Sequence, residues 1–362
     1  MRVAIITQNL SAGGAERVIS QLLSEWHSAG IECHLILLRK RTIAYAIPDG
    51  VFLYELDLQG KNKISRKINE LKNIRDIVKK INPDIVLSLP EEIGIYTIGA
   101  LLGTKIPVVV SERNNPHVMP YKKITRLFRK LLYPFSHGFI FQTREAASYF
   151  SKKIQKKGVV LPNPLELSRI PSVYTGEREK VVVGAGRLFP QKNFKLLIDA
   201  FAEFYKTHPD YKLIIYGEGH MRSELEDYAS KHLKPDTYSF PGIVLDLLER
   251  MRKASMFVLS SDYEGMPNAL IEAMAMGLPS ISTDCPSGGS RELIANGENG
   301  ILVPVSDSHK MAEAMSFLAD NSEMAAKISK ESAKVKFRLD SKVISKKWLD
   351  YLHKTVLRSN KK

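Results

Sequence analysis

The stretch MFVLSSDYEGMPNALIEAMAMGLPSIST, residues 256–283, carries the architecture in miniature. Met256–Ser260 is a short β-forming run, the next residues are polar and turn-rich, and Pro267–Met276 sets Leu270, Ile271, Met274 and Ala275 at helical spacing. Pro279–Thr283 is a second apolar run. Strand, helix, strand, with both strands apolar along their length, is the pattern of a parallel sheet covered on both faces. The spacing predicts Pro267 inside the first helical turn, where its missing N–H costs nothing.

The same theme extends in both directions. Upstream lie VVVGAGRL (Val181–Leu188), a helix from Asn193 to Thr207, KLIIYGEG (Lys212–Gly219) and a short FPG at Phe240–Gly242; downstream, Gly300–Pro304 precedes closing helices. The first half repeats the plan. Val3–Thr7 runs into a Gly-rich turn at Asn9–Gly14 and a helix with Val18, Ile19, Leu22 and Leu23 on one face. Cys33–Leu38, Ile85–Ser88, Val108–Ser111 and His137–Phe141 are further apolar strands. PNPLELSRIPSVYTGEREK, from Pro162, interrupts the pattern and reads as a linker. The expectation is therefore an α/β protein of two Rossmann-like domains, 1–165 and 166–340, with a helix over 341–362 able to pack back across the junction. Two such domains joined by one linker create a cleft where ligands bind.

Three groups of residues invite chemistry. Glu264 lies in the loop before the 267–276 helix and Glu272 about one and a half turns into it, so both can approach one ligand. A carboxylate accepts two hydroxyls at once, and the leading amides of a helix hold phosphate. On spacing alone they are more commonly a loop acid and a solvated helix acid. Arg187 and Lys192 flank the turn after Val181–Leu188, and in isolation they are as readily surface cations. Gly13 and Gly14 form the first turn, where turn chemistry alone explains a glycine.

Taken together, SDYEGMPNALIEAMAMGLPSISTD with CPSGGSRELIANGENGILVPV, GGAER near the start, GRLFPQKNF and YGEG resemble family 4 glycosyltransferases, retaining enzymes of GT-B fold with an E-x7-E motif. The resemblance covers the whole chain and is nearest to bacterial enzymes that act on polyprenyl-diphosphate-linked glycans of O-antigen, capsule or N-glycan assembly. It implies two facing Rossmann-like domains with a central cleft, an N-terminal acceptor domain and a C-terminal donor domain. It also implies a nucleoside diphosphate sugar donor, UDP-linked, with no tightly bound cofactor and no required metal; no DxD element is found.

The resemblance implies roles by position. Arg187 and Lys192 neutralise the donor diphosphate, whose charge grows as it departs. Glu264 faces the transferred sugar and Glu272 the ribose. Gly265, Met266, Pro267, Asn268 and Ala269 line phosphate and sugar. Gly217 and Gly219 lie on the nucleotide side, and Pro241, Gly242 and Ile243 face the base. Gly13 and Gly14 approach the donor from the first domain. In SERNNPH, Arg113, Asn114 and His117 compete for the acceptor side; His117 stands where many members hold a histidine near the sugar, though the local motif departs from the common form. Glu16 is either a first-turn acid suited to the helix dipole or part of that acceptor side.

Charge and composition narrow the alternatives. The formal net charge is +14, and residues 1–170 hold 26 basic against 14 acidic side chains while the rest holds 27 against 25. The first half thus has reason to meet an anionic partner. YKKITRLFRKLLY (121–133) is amphipathic, with Ile124, Leu127, Phe128, Leu131 and Leu132 at helical spacing among five cations, and KNKISRKINELKNIRDIVKK (61–80) is a second basic helical segment. Both suit an anionic leaflet, or both stripes pack on the sheet with their lysines solvated. A polyprenyl-linked acceptor favours the first: a peripheral enzyme on the cytoplasmic face of the inner membrane. Nucleic acid is disfavoured by the lack of an aromatic RNA-binding pair, zinc spacing or recognition helix. Two distant cysteines, Cys33 and Cys285, argue against metal ribbons and disulfide frameworks. The opening strand runs straight into its turn, unlike a signal peptide, and no apolar run approaches the roughly 18 residues of a membrane span. A Rossmann oxidoreductase or sugar-nucleotide-modifying enzyme would need GxGxxG and a Tyr-x3-Lys pair that are missing. A membrane-associated glycan-binding protein without catalysis would release no nucleotide.

Overall fold

The computed structural model describes residues 1–11, 13–40, 43–56 and 62–361. The chain divides into two compact units, Met1–Pro164 with Leu339–Lys362, and Leu165–Arg338.

The first unit runs β1 (Arg2–Thr7), α1 (Gly14–Ser28), β2 (Glu32–Leu37), β3 (Phe52–Glu55), α2 (Lys63–Ile81), β4 (Ile85–Ser88), α3 (Glu91–Leu101), β5 (Val108–Ser111), α4 (Lys123–Leu132), β6 (Gly138–Phe141), two short helices α5 (Arg144–Ser148) and α6 (Lys152–Gln155), and β7 (Gly158–Val160). Its seven strands lie in the order β3-β2-β1-β4-β5-β6-β7, and the paired strands are parallel. The edge strands β3 and β7 were not foreseen. Phe52 and Leu53 are exposed, so β3 lacks the continuous apolar signature that marks its neighbours.

Alternation along β1 builds two cores from one strand. Val3 and Ile5 join α1 residues Val18, Leu22 and Trp26 on one face, while Ala4 and Ile6 join Ile74 and Val78 of α2 and Ile93 and Ile98 of α3 on the other. Helix α2 is started by Asn62, whose side chain accepts from the Ser65 amide in a capping box, and is closed by left-handed Asn82. Its stripe at Ile74, Val78 and Ile81 is buried, so of the two basic segments this one packs inward; Lys61 lies outside the described residues.

The second unit comprises β8 (Glu179–Ala185), α7 (Phe194–Phe204), β9 (Lys212–Tyr216), α8 (Arg222–His232), β10 (Tyr238–Gly242), α9 (Leu247–Met251), β11 (Ala254–Leu259), α10 (Asn268–Ala275), β12 (Ser280–Thr283), β13 (Ile301–Val303), α11 (Ser308–Asp320), α12 (Ser322–Ser332) and α13 (Val335–Leu339). Its parallel sheet has the order β10-β9-β8-β11-β12-β13. Leu197 and Phe201 of α7, Ile215 of β9 and Met315 of α11 are fully buried in its core.

The last helix, α14 (Ser341–Ser359), returns to the first unit. Ile344, Trp348, Tyr351 and Leu352 join the core under α1, and Trp26 Nε1 donates to Ser345 O at 3.0 Å. Among the described residues no helix is long and apolar enough to cross a membrane.

Candidate functional site

In an open parallel sheet the ligand crevice forms at the carboxyl ends of the strands, where the strand order reverses direction. In the second unit that point lies between β8 and β11. The predicted donor residues follow these two strands and their neighbours.

The β8–α7 and β11–α10 loops are laced together by their own polar groups. Asp262 N donates to Gln191 O at 3.0 Å, Gln191 Nε2 to Tyr263 O at 2.9 Å, and Ser260 Oγ to Lys192 O at 2.8 Å. Asn193, left-handed at the N-cap of α7, donates from Nδ2 to Asp262 Oδ1 at 2.8 Å while its Oδ1 accepts from Leu196 N. Across this seam Lys192 Nζ meets Glu264 Oε1 at 2.6 Å, with side chains only 15% and 10% exposed. Ser261 Oγ donates to the same carboxylate oxygen at 2.8 Å, and Ser287 Oγ donates to Glu264 O. A nearly buried ion pair is weak evidence of stabilisation. What this one does is hold an ammonium and a carboxylate at a fixed place by the carboxyl ends of the strands.

Arg187 is exposed, and its guanidinium lies 5.1 Å from the centre of the Phe189 ring, which rests on His220 at 4.7 Å. Among the described residues no carboxylate pairs with Arg187. It is oriented by aromatic contact while its charge is left available, unlike Lys192.

The helix beyond Glu264 differs from expectation in one detail. Pro267 is the N-cap, extended at φ −79° and ψ 110°, and Asn268 is the first helical residue. Proline fits there for a related reason, since the cap makes no use of an N–H. The amides of Asn268 and Ala269 lead the helix, Ile271 N already bonds to Pro267 O, and Glu272 is buried about one turn in. Gly265 and Met266 are buried in the loop.

Close backbone approach explains the glycines here. Gly217 follows β9 at φ +135°, where an added Cβ would fall 1.9 Å from Gly186 O, and a Cβ on Gly219 would lie 2.4 Å from Leu188 O. Gly217 N donates to Gly242 O at 3.0 Å, tying the end of β9 to the end of β10, where Pro241 and exposed Ile243 also lie. The second unit thus brings Arg187, Lys192, Gly217, Gly219, Gly242 and the 264–272 segment to the carboxyl ends of one sheet's strands. Ser261, Asp262, Asn193 and Ser287, which brace it, lie within the motifs quoted above but were given no role; their bracing contacts appear only in the folded chain.

The first unit holds the remaining residues separately. Gly13 is the N-cap of α1, extended, with its carbonyl accepting from Tyr45 Oη at 3.0 Å. A Cβ on Gly13 would meet Glu16 Oε2 at 2.2 Å, so that carboxylate folds back over the helix start, in keeping with the dipole reading of Glu16. Gly14 opens α1.

After β5, Arg113 is 8% exposed: Nη2 donates to Asn163 Oδ1 and the guanidinium lies 5.6 Å from the Trp348 ring. Asn114 is half-buried, while His117 is exposed and meets Tyr149 edge-on at 4.6 Å. These three neighbours in sequence therefore differ sharply in accessibility. Beneath them lies a buried ionisable cluster that no sequence pattern announced. Glu112 Oε1 accepts from Tyr133 Oη, Glu91 Oε2 accepts from Arg113 N at 3.3 Å, and Arg129 is 3% exposed. Burial, reinforced by Glu91, pushes the Glu112 carboxyl up to about 8.

Among the described residues no group of three His, Cys, Asp or Glu is arranged to hold a metal ion. Cys33 and Cys285 are buried and unpaired, and burial pushes both thiols up to about 12.

Comparison with known proteins gives this geometry its class. Residues 12–169 match the family model of Glycosyltransferase Family 4, and residues 170–335 match that of Glycosyl transferases group 1. The chain belongs to this clan of GT-B glycosyltransferases and is a catalytic transferase. Among its relatives are two proteins of Campylobacter jejuni. One, an N-acetylgalactosamine-N,N'-diacetylbacillosaminyl-diphospho-undecaprenol 4-alpha-N-acetylgalactosaminyltransferase, is 28% identical over 97% of this chain and 99% of its own. The other, a GalNAc-alpha-(1->4)-GalNAc-alpha-(1->3)-diNAcBac-PP-undecaprenol alpha-1,4-N-acetyl-D-galactosaminyltransferase, is 28% identical over 89% of each chain. The crystal structure of Anabaena HepE with UDP and glucose shares the fold with a TM-score of 0.82, at 17% identity over 98% of this chain and 99% of that one.

Proposed function

We propose that this transferase moves a hexose or N-acetylhexosamine from a UDP-sugar to a hydroxyl of a polyprenyl-diphosphate-linked glycan, with retention of anomeric configuration. The observation that carries the reading is the fixed Lys192–Glu264 pair beside Arg187 and the leading amides of α10. The Campylobacter relatives, named for transfer to undecaprenyl-diphosphate glycans, support the acceptor class, and HepE, crystallised with UDP, supports the donor.

In this reading Arg187, Lys192 and the amides of Asn268 and Ala269 receive the diphosphate, whose leaving oxygen gains charge as the bond to the sugar breaks. These groups meet that charge without a metal, so activity survives chelation. Glu264 orients the transferred sugar and Glu272 the ribose. Gly217, Gly219, Pro241 and Gly242 admit the nucleotide. The acceptor oxygen attacks the anomeric carbon on the face from which UDP departs, and its proton passes to the departing phosphate oxygen. His117, Asn114, Arg113 and Glu16 serve the acceptor side; buried Arg113 does so by holding its loop.

The enzyme works at the cytoplasmic face of a membrane. Support comes from α4, where Ile124, Leu127, Phe128 and Leu131 are 49–56% exposed while Thr125 and Arg129 are buried. Lys122, Lys123 and Lys130 are exposed around this stripe, and no acidic residue lies between Glu112 and Glu145. Such a face suits an anionic leaflet.

A panel of nucleotide sugars with lipid-linked acceptors, read by product mass and anomeric configuration, tests the reaction. Lys192→Met and Arg187→Met should each lower kcat by on the order of 10²-fold. Glu272→Ala should chiefly raise KM for the donor. Undiminished turnover in the two cation variants would remove the proposed site.

A further inference from the structure

We infer that α4 is a two-sided latch, in which lipid contact on its outer face fixes the loop that carries His117 through Arg126 and Arg129. The trigger rests on the membrane reading above, whereas the latch stands on separate contacts.

The inward side of α4 is occupied by charge. Arg126 donates from Nε to Pro120 O at 2.7 Å and from Nη2 to Val118 O at 2.8 Å. Arg129 donates from Nη1 to Met119 O at 2.8 Å, and from Nη2 to Pro116 O and Tyr149 Oη, both at 2.9 Å. Two guanidiniums thus grip four carbonyls of one five-residue segment, 116–120, with His117 inside it. Arg129 also lies 4.9 Å from the ring centre of Tyr149, the residue on which the His117 imidazole rests. Loop and imidazole therefore share one anchor.

Charged hydrogen bonds of this kind are strong and directional, but they hold the loop only as firmly as the helix itself is held. Helix α4 has turned most of its apolar stripe away from the core, with only Leu132 of that stripe packing inward, so apolar burial secures it less than it would a core helix. An isolated segment of this length is marginal as a helix in water. Burying Ile124, Leu127, Phe128 and Leu131 in a leaflet stabilises the helical form, since only the helix gathers them on one face. The stabilised helix then fixes both arginines and the loop beyond them. Arg126 and Arg129 are positioning residues for the acceptor side, and the enzyme is most ordered where its lipid-linked substrate resides.

Hydrogen exchange of the full-length chain tests this. The amides of Val118 and Met119 donate to Asn115 O, and that of His117 to Asn115 Oδ1, so the peptide spanning them reports on the loop. Phosphatidylcholine vesicles containing phosphatidylglycerol should slow its exchange on the order of tenfold in the parent chain. Arg126→Met, which alters the inner side, should still sediment with these vesicles yet show no such slowing, and Arg126→Lys should restore part of it. Leu127→Asp, which alters the outer side, should lose both sedimentation and slowing while matching the parent without lipid. Equal slowing in Arg126→Met and the parent overturns the latch, as does a parent that binds vesicles with no change in the loop. If the parent fails to sediment, the membrane trigger falls. The grip is then judged without lipid, where Arg126→Met must exchange faster than the parent; equal exchange would end it too.

Discussion

Gly217 is constrained twice by backbone geometry. Its φ of +135° disfavours any side chain, and a Cβ would stand 1.9 Å from Gly186 O, an atom of backbone that cannot swing aside. Gly217→Ala should therefore destabilise the second unit by about 2 kcal/mol or more, measured as a lowered denaturation midpoint at unchanged m-value. Gly297→Ala is a useful comparison, because its φ is also positive at +78° but no atom lies within 4 Å of the added carbon. If the two variants lose equal stability, dihedral strain rather than close approach accounts for Gly217. The YGEG resemblance implied a nucleotide-side glycine here but not the close backbone approach that requires one. The need for Gly289 was hidden: its Cβ would fall 1.7 Å from Gly265 O, and that contact exists only once the chain has folded. For the same reason sequence offered Arg187, Lys192 and Glu264 as candidates but not the bond between Lys192 and Glu264.

At the scale of elements, periodicity located helices far better than it assigned their faces. Helices α2 and α4 are both basic and amphipathic, yet α2 buries the later part of its stripe, at Ile74, Val78 and Ile81, and α4 exposes most of its own, with only Leu132 packing inward. The difference lies in what waits beneath α4. Glu91 at the start of α3, Glu112 after β5 and Tyr133 after α4 surround Arg129, and a polar cluster cannot be covered by leucines without cost. Glu112 makes this measurable. Burial is the largest influence raising its carboxyl from 4.5 to about 8, the Glu91 charge adds to it, and Arg129 with the Tyr133 hydroxyl opposes it. Between those two values the folded chain keeps a proton that the unfolded chain has released, so its contribution to stability falls as pH rises through the window. Glu112→Gln, a neutral isostere, should therefore gain on the order of 1–3 kcal/mol relative to the parent on going from about pH 5 to about pH 8. Denaturant titrations at both pH values decide it, and parallel curves would show that Glu112 ionises as it does in the unfolded chain.

For the whole molecule, the two sheets and their parallel plan were legible because buried parallel strands are apolar throughout, and because one Pro-rich, polar stretch separates the halves. Allocation of the last helix to a unit was not legible, since no local pattern says which core a terminal amphipathic segment joins. The structure assigns α14 to the first unit, more than 300 residues back along the chain from where it begins: Trp26 Nε1 donates to Ser345 O with a separation of 319 residues. Tyr351 Oη donates to Lys157 O and accepts from Phe139 N at 2.9 Å, so one phenol joins the helix to β6 and the start of β7. Ser341 Oγ donates to Glu25 Oε1 at 2.6 Å, fixing the start of α14 beside Trp26. Ile344, Trp348 and Leu352 are fully buried, and at about 1.5–3 kcal/mol for each buried side chain they rival the entire stability of an ordinary domain. A chain ending at Asp340 should consequently lose the first unit's cooperative transition while the second unit, whose core takes nothing from α14, still unfolds cooperatively. Limited proteolysis separates the outcomes: fragments from 165–338 should persist and those from 1–164 should vanish. Survival of both sets would mean that the first unit closes its core without α14, and would leave its buried tryptophan without a structural purpose.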